Sequence, residues 1–205
     1  MDQEVLEVRK QLKSSYERLS FLTKSHETKQ DYTMLVLWGK LLKNSEAILL
    51  LIENGLKDEA LAIQRLSLEH LFNFFAMACD DKFHNEFLNS SQHSLAKGMK
   101  VLARSIDSSR LSSLDQESRS NLESAIILSD QNSTEFMGYS IYNAANKSQL
   151  GPMYDSLYRT LSLSYAHSTF VSILVKAPEE NTELLDQVAG FLSLVYQKSF
   201  EVWSR

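Results

Sequence analysis

The sequence predicts an all-α fold, a single-domain antiparallel bundle of six or seven helices. Glycine and proline together make up only eight of the 205 residues (6 + 2), too few for the many tight turns of a β-sandwich or a β-barrel. Long stretches also repeat their apolar residues with the helical period of about 3.6 residues. Because no linker divides the chain, we expect residues 1–205 to form one domain.

Seven helices can be placed in order, each from its own apolar stripe. The first has a thin stripe among many charges, so residues 1–24 are expected to form a peripheral helix. The second begins near Asp31 as N-cap, is apolar on most of its surface, and joins the third through a short link at Gly55. The predicted ranges are about 2–24, 31–55, 58–79, 82–105, 114–130, 152–168 and 178–203, with a serine-rich loop at 105–113 and a long loop from 131 holding a short helix near 139–147.

Composition excludes several classes of protein. The formal charge of −5 argues against non-specific nucleic-acid binding. The single cysteine, Cys79, cannot form an intrachain disulfide and is expected to be buried at the end of the third stripe. The longest apolar run, 47–52, is far below the ~20 residues that cross a bilayer, so we expect a soluble cytoplasmic protein without membrane contact.

Motifs of common enzyme classes are missing from the sequence. It contains no glycine-rich phosphate loop, no pair of C-x-x-C motifs and no H-E-x-x-H. We therefore predict no cofactor and no metal site.

The first candidate site is Arg65 with Glu69 on the third helix. Helical geometry places Arg65 inside the apolar stripe, and Glu69 lies one turn further on. A buried guanidinium must be paired, and removing Glu69 alone is expected to cost about 3–5 kcal/mol. Two interpretations stay open: a structural ion pair that fixes helix docking, or a polar pocket for a small anionic ligand around Arg65.

The second candidate site lies on the sixth helix. Tyr154 and Tyr158 share one stripe with Ser162 at its edge, whereas Arg159 and His167 lie on the other side of the helix. Tyrosines at this spacing are usually core residues. The functional alternative is that Tyr158 or Ser162 reaches the Arg65–Glu69 pair.

These two stretches carry a resemblance to known families. The R-x-x-x-E of residues 65–69, combined with the Y-x-x-x-Y-R-x-L-S-x-x-x-x-H-S of residues 154–168, resembles a widespread bacterial all-helical family of unknown function over roughly residues 41–168. Arg65 and His70 also satisfy the R-x(4–6)-H spacing of HEPN-type ribonucleases, although Leu66 follows the arginine where those enzymes have a polar residue. That resemblance implies metal-independent RNA cleavage with His70 as a catalytic candidate. His167 is the second candidate, although the seven residues between it and Arg159 exceed the HEPN spacing.

The leading functional hypothesis is a non-enzymatic binding or regulatory module that self-associates as a homo-oligomer or binds another protein. A HEPN-like ribonuclease of a toxin or defence system is the first alternative, and only this alternative makes RNA a partner. A binding pocket for a small anion is the second alternative. The binding candidates under these hypotheses are Arg65, Glu69, Tyr154, Tyr158, Arg159 and Ser162.

Overall fold

The computed structural model describes residues 3–25, 27–105, 113–131 and 139–204. Every regular element in this part of the chain is a helix and none is a strand, so the predicted all-α class is confirmed. The helices are α1 (Gln3–Leu22), α2 (Lys29–Glu53), α3 (Lys57–Cys79), α4 (Phe83–Ser105), α5 (Gln116–Gln131), α6 (Ile141–Lys147), α7 (151–166), α8 (Phe170–Leu174) and α9 (Thr182–Val202). Most of each predicted loop, residues 106–112 and 132–138, lies outside the described residues.

The contacts divide the chain into two compact units. Met1–Asp81 and Ile141–Arg205 form the first, and Lys82–Ser140 form the second. The expectation that residues 1–205 form a single domain stays a prediction. No helix in the described ranges is long and apolar enough to cross a membrane.

The helices α2 and α3 form the centre of the first unit, as the apolar breadth of α2 predicts. They pack along their lengths and are joined only by residues 54–56. Gly55 has a φ of 75°, a left-handed conformation that glycine adopts without steric cost, just after the C-cap residue Asn54. The side chains that are fully buried here include Trp38, Leu42, Ile48, Leu68, Leu71 and Phe72.

The N-terminus of α2 differs from the prediction that Asp31 is its N-cap. Thr28 is the N-cap: its hydroxyl accepts a bond from the Asp31 backbone N–H at 3.0 Å, and the Asp31 carboxylate accepts one from the Thr28 N–H at 3.1 Å. The other carboxylate oxygen of Asp31 accepts the indole N–H of Trp203 at 2.8 Å. Asp31 therefore joins the start of α2 to the end of α9.

Helix α1 packs against α9 and α2, and Val8 on its inner face is fully buried. The guanidinium of Arg18 donates to the backbone carbonyl of Trp203 at 3.2 Å and lies 4.3 Å from the centre of the Phe200 ring. Carbonyls at a helix C-terminus lack partners within the helix and carry partial negative charge, which a cation stabilises. These contacts of Arg18 hold α1 against the C-terminal end of α9.

The second unit consists of α4 packed against α5. Phe83 is fully buried at the start of α4, and Tyr139 contacts the rings of both Phe83 and Phe87, at centroid distances of 5.9 and 5.6 Å. Asp115 precedes α5, and its carboxylate accepts the backbone N–H of Ser118 at 2.8 Å.

Two further predictions are wrong. Cys79 is exposed rather than buried, because it is the last residue of α3 and the continuous buried segment ends at Met77. The last helix begins at Thr182 instead of residue 178. The ammonium group of Lys57 binds the carbonyls of Pro178 and Glu179, which holds these two residues in the irregular segment before α9.

Two glycine substitutions should have opposite effects on stability. Gly55→Ala places a β-carbon at a positive φ and should lower the free energy of unfolding by about 1–2 kcal/mol. Gly190→Ala lies inside α9, where a β-carbon meets no atom within 4 Å, and should raise it by about 0.5–1 kcal/mol. Urea unfolding of both variants measures the difference. Equal effects would contradict the assigned turn at residue 55.

Candidate functional site

Arg65 and Glu69 lie one turn apart on α3 and form an ion pair. The distance between Arg65 Nη1 and Glu69 Oε1 is 2.8 Å, and the two side chains are 15% and 30% exposed. The sequence predicted that Arg65 would be mostly buried and paired with Glu69, and this geometry is present. Arg65 is buried because it lies among the apolar residues of α3. Its guanidinium therefore lies against the neighbouring helix, α7.

Helix α7 supplies the remaining acceptors for the guanidinium. Arg65 Nε donates to the hydroxyl of Ser162 at 2.7 Å, and Nη2 donates to the hydroxyl of Tyr158 at 2.7 Å. The Tyr158 hydroxyl in turn donates to Glu69 Oε1 at 3.0 Å. We call these four residues the Arg65 cluster. Each of the three guanidinium nitrogens has one acceptor within the cluster, and the Glu69 carboxylate compensates the charge of Arg65, while two of the five guanidinium N–H groups have no acceptor in the cluster.

The local shape of α7 differs from the regular α-helix that the sequence predicted. Two π-helical turns, Tyr154–Tyr158 and Ser162–Ala166, interrupt it. Such turns are rare, and their wider backbone changes the angle between residues four positions apart. Tyr158 and Ser162 both reach Arg65, and the segment between them, Arg159–Leu161, is α-helical.

Aromatic rings support the cluster from one side. The ring of Tyr154 stacks on that of Tyr158 with 5.0 Å between centroids, and Phe72 contacts both rings at 6.3 and 6.1 Å. The Arg65 guanidinium carbon lies 4.7 Å from the centre of the Tyr158 ring, close enough for a cation–π interaction. Tyr154 therefore contributes packing to the cluster, while Tyr158 contributes both packing and hydrogen bonds.

The electrostatics keep Tyr158 protonated. Burial raises the pKa of its hydroxyl to about 12, and the nearby Glu69 carboxylate acts in the same direction. A neutral hydroxyl is what the network requires, because it must accept from Arg65 and donate to Glu69 at the same time.

The other predicted site residues have different neighbours. Arg159 faces Asp155 at 3.8 Å on an exposed part of α7, and His167 is exposed just after that helix. His70 lies on α3, where burial, assisted by the positive charge of Lys40, lowers its pKa to about 4. A catalytic role for His70 or His167 stays a prediction.

Among residues 3–25, 27–105, 113–131 and 139–204, no group of three or more His, Cys, Asp or Glu is arranged to hold a metal ion.

A feature that the sequence analysis did not identify is an exposed apolar surface on and beside α8. The large side chains that form it are Leu163 (55% exposed), Phe170 (75%), Val171 (43%), Ile173 (75%) and Leu174 (66%), and we call them the α8 surface. Thr169 caps α8 in a capping box with Ser172, and its hydroxyl donates to the carbonyl of Leu163 at 2.9 Å. The sequence feature that indicates this surface is the absence of Asp, Glu, Lys and Arg from residues 160–175.

Removing Glu69 should destabilise the protein by less than the sequence predicted. Arg65 keeps two hydroxyl acceptors and Glu69 is 30% exposed, so we expect Glu69→Ala to cost about 1–3 kcal/mol instead of 3–5. Asp155→Ala is the matched control, because it breaks an exposed arginine pair at the same spacing and should cost a few tenths of a kcal/mol. Chemical unfolding compares them, and equal losses would mean that the cluster is solvated.

Low pH should destabilise the fold through His70. Its pKa in the folded protein lies below the usual 6.5, so the unfolded chain takes up a proton first as the pH falls. The free energy of unfolding should therefore decline between about pH 6.5 and 4. In His70→Gln this decline should be smaller, whereas the exposed control His167→Gln should keep it. Carboxylates that titrate in the same range are common to both variants. Parallel declines in the two variants would refute the assignment.

Comparison with known proteins places the chain in a family. No curated protein and no solved structure gives a match. A family model described as a family of unknown function, DUF5677, matches residues 31–183, which include most of α2, the whole Arg65 cluster and the α8 surface. This agrees with the predicted resemblance to an uncharacterised helical family, while the HEPN resemblance stays a prediction. Because the match covers well over half of its length, the chain belongs to the DUF5677 family of unknown function.

Proposed function

We propose that the chain is a non-enzymatic binding module that holds a protein partner on the α8 surface. The observation that carries the proposal is the exposure of large apolar side chains on one short helix, with Phe170 and Ile173 both 75% exposed. Contiguous apolar patches of this kind on a protein surface usually mark interaction sites. Single exposed apolar residues elsewhere on the chain need no such explanation.

The surroundings of α8 suit a binding surface that is ordered before the partner arrives. Its capping box satisfies the backbone N–H groups of Thr169 and Ser172, and the bond from the Thr169 hydroxyl to the Leu163 carbonyl connects α8 to α7. The Arg65 cluster in turn ties α7 to α3. A surface that is ordered in advance loses less conformational entropy on binding. In this proposal Arg65, Glu69, Tyr158 and Ser162 position the surface and do not contact the partner.

The two alternatives from the sequence receive less support. An anionic ligand at Arg65 would meet the Glu69 carboxylate, which already compensates the charge of the guanidinium, and two further donors are taken by the hydroxyls of Tyr158 and Ser162. Under the ribonuclease alternative the Glu69 carboxylate would also repel a phosphate at Arg65, and burial lowers the pKa of His70 to about 4, which makes its ring a weak general base near pH 7. The cytoplasmic location and the self-association expected from the sequence stay predictions.

Site-specific crosslinking in the native cells tests the proposal. A photoreactive side chain at position 173 should give a discrete crosslinked adduct, because this position is central to the α8 surface. The matched control carries the same group at position 6, where Leu6 is 51% exposed on α1 among charged residues. Adding Phe170→Asp to the first variant should abolish the adduct. Equal crosslinking at the two positions, or none at position 173, would refute the proposed binding surface.

A further inference from the structure

We infer that the partner held on the α8 surface is a second copy of this chain, paired through a two-fold axis that passes near Ile173. The inference rests on the proposed function, since it names the occupant of the same surface. It is drawn from the charge pattern of the surface, the arrangement of its side chains and its extent.

The charge pattern favours self-association. Residues 160–175 contain no Asp, Glu, Lys or Arg, although the chain as a whole carries 26 acidic and 21 basic residues. In a two-fold interface each residue near the axis lies close to its own copy, so a charged residue there would face a like charge. Two copies with a net charge of −5 also repel each other at long range. The five side chains of the α8 surface all belong to this stretch of 16 residues, so two such copies can meet there without like charges from this stretch in contact.

The arrangement of the side chains suits a helix-to-helix contact. Phe170, Ile173 and Leu174 stand at positions i, i+3 and i+4 of α8, which places them on one side of the helix. Leu163 adjoins its N-terminal end through the bond from Thr169. When two copies of α8 cross, these apolar side chains can pack against one another without burying a charged group.

The extent of the surface predicts a weak dimer. Five large apolar side chains at these exposures present on the order of 500 Å² of surface. A stable interface buries roughly 800 Å² per partner, so exposed residues beside the patch, such as His167 and Ser168, must complete the contact. We therefore expect a dimer that forms reversibly at micromolar concentrations.

A charge-swap experiment tests the inference. Sedimentation velocity of the purified full chain, from low to high micromolar concentration, should show wild type shifting from monomer to dimer. Ile173→Asp and Ile173→Lys should each weaken dimerisation at least tenfold, because each places two like charges near the axis. An equal mixture of the two variants should recover a dimer, since Asp then faces Lys across the axis. Ile173 is 75% exposed, so both variants should retain the wild-type circular dichroism spectrum.

The control and the contrary outcomes separate the inference from the proposed function. Leu6→Asp introduces the same charge on α1 and should dimerise like wild type. A wild type that is monomeric at every concentration would overturn the inference, as would variants at position 173 that still dimerise or a mixture that stays monomeric. If a crosslink at position 173 then joins the chain to a different protein in cells, the proposed function stands without the inference. If position 173 gives no adduct at all, both fail.

Discussion

The guanidinium of Arg65 is the group on which the arrangement of the first unit depends. A cation among apolar side chains is tolerated only when its donors are satisfied, and one carboxylate cannot accept from all of them. Glu69 accepts from within the same helix, so the remaining acceptors must come from another element, and α7 provides them through Tyr158 and Ser162. The need to satisfy one buried charge therefore sets where α7 lies against α3.

The position of α7 has consequences for the rest of the chain. The backbone of α7 leads directly into the turn before α8, and Thr169 bonds back to the Leu163 carbonyl, so α8 is held beside the end of α7. The Arg65 cluster and the α8 surface have different roles because their chemistry differs. The observed partners of Arg65 all lie within the molecule, whereas the apolar surface of α8 has most of its area in contact with solvent. Membership of a family without a known function leaves the site chemistry as the basis for a functional proposal.

Most of the fold could be predicted because its signals are local. The scarcity of glycine and proline excludes a sheet-rich fold, and helical periodicity locates each main helix to within a few residues. Helix ends were less accurate, since several chemically suitable residues compete for each cap. Thr28 and Asp31 both suit an N-cap, and in the structure Thr28 is the cap while Asp31 completes the capping box and also accepts the indole N–H of Trp203.

The sequence by itself determined that Arg65 must be paired and that Glu69 is within reach. These conclusions need only helical geometry and the cost of burying a charge. Tertiary structure alone decided that α7 contains π-helical turns, that Cys79 lies beyond the packed part of α3 and that the side chains of α8 face solvent. The reason is that an apolar pattern shows which face of a helix avoids water, but only the packing of the other elements decides whether anything covers that face.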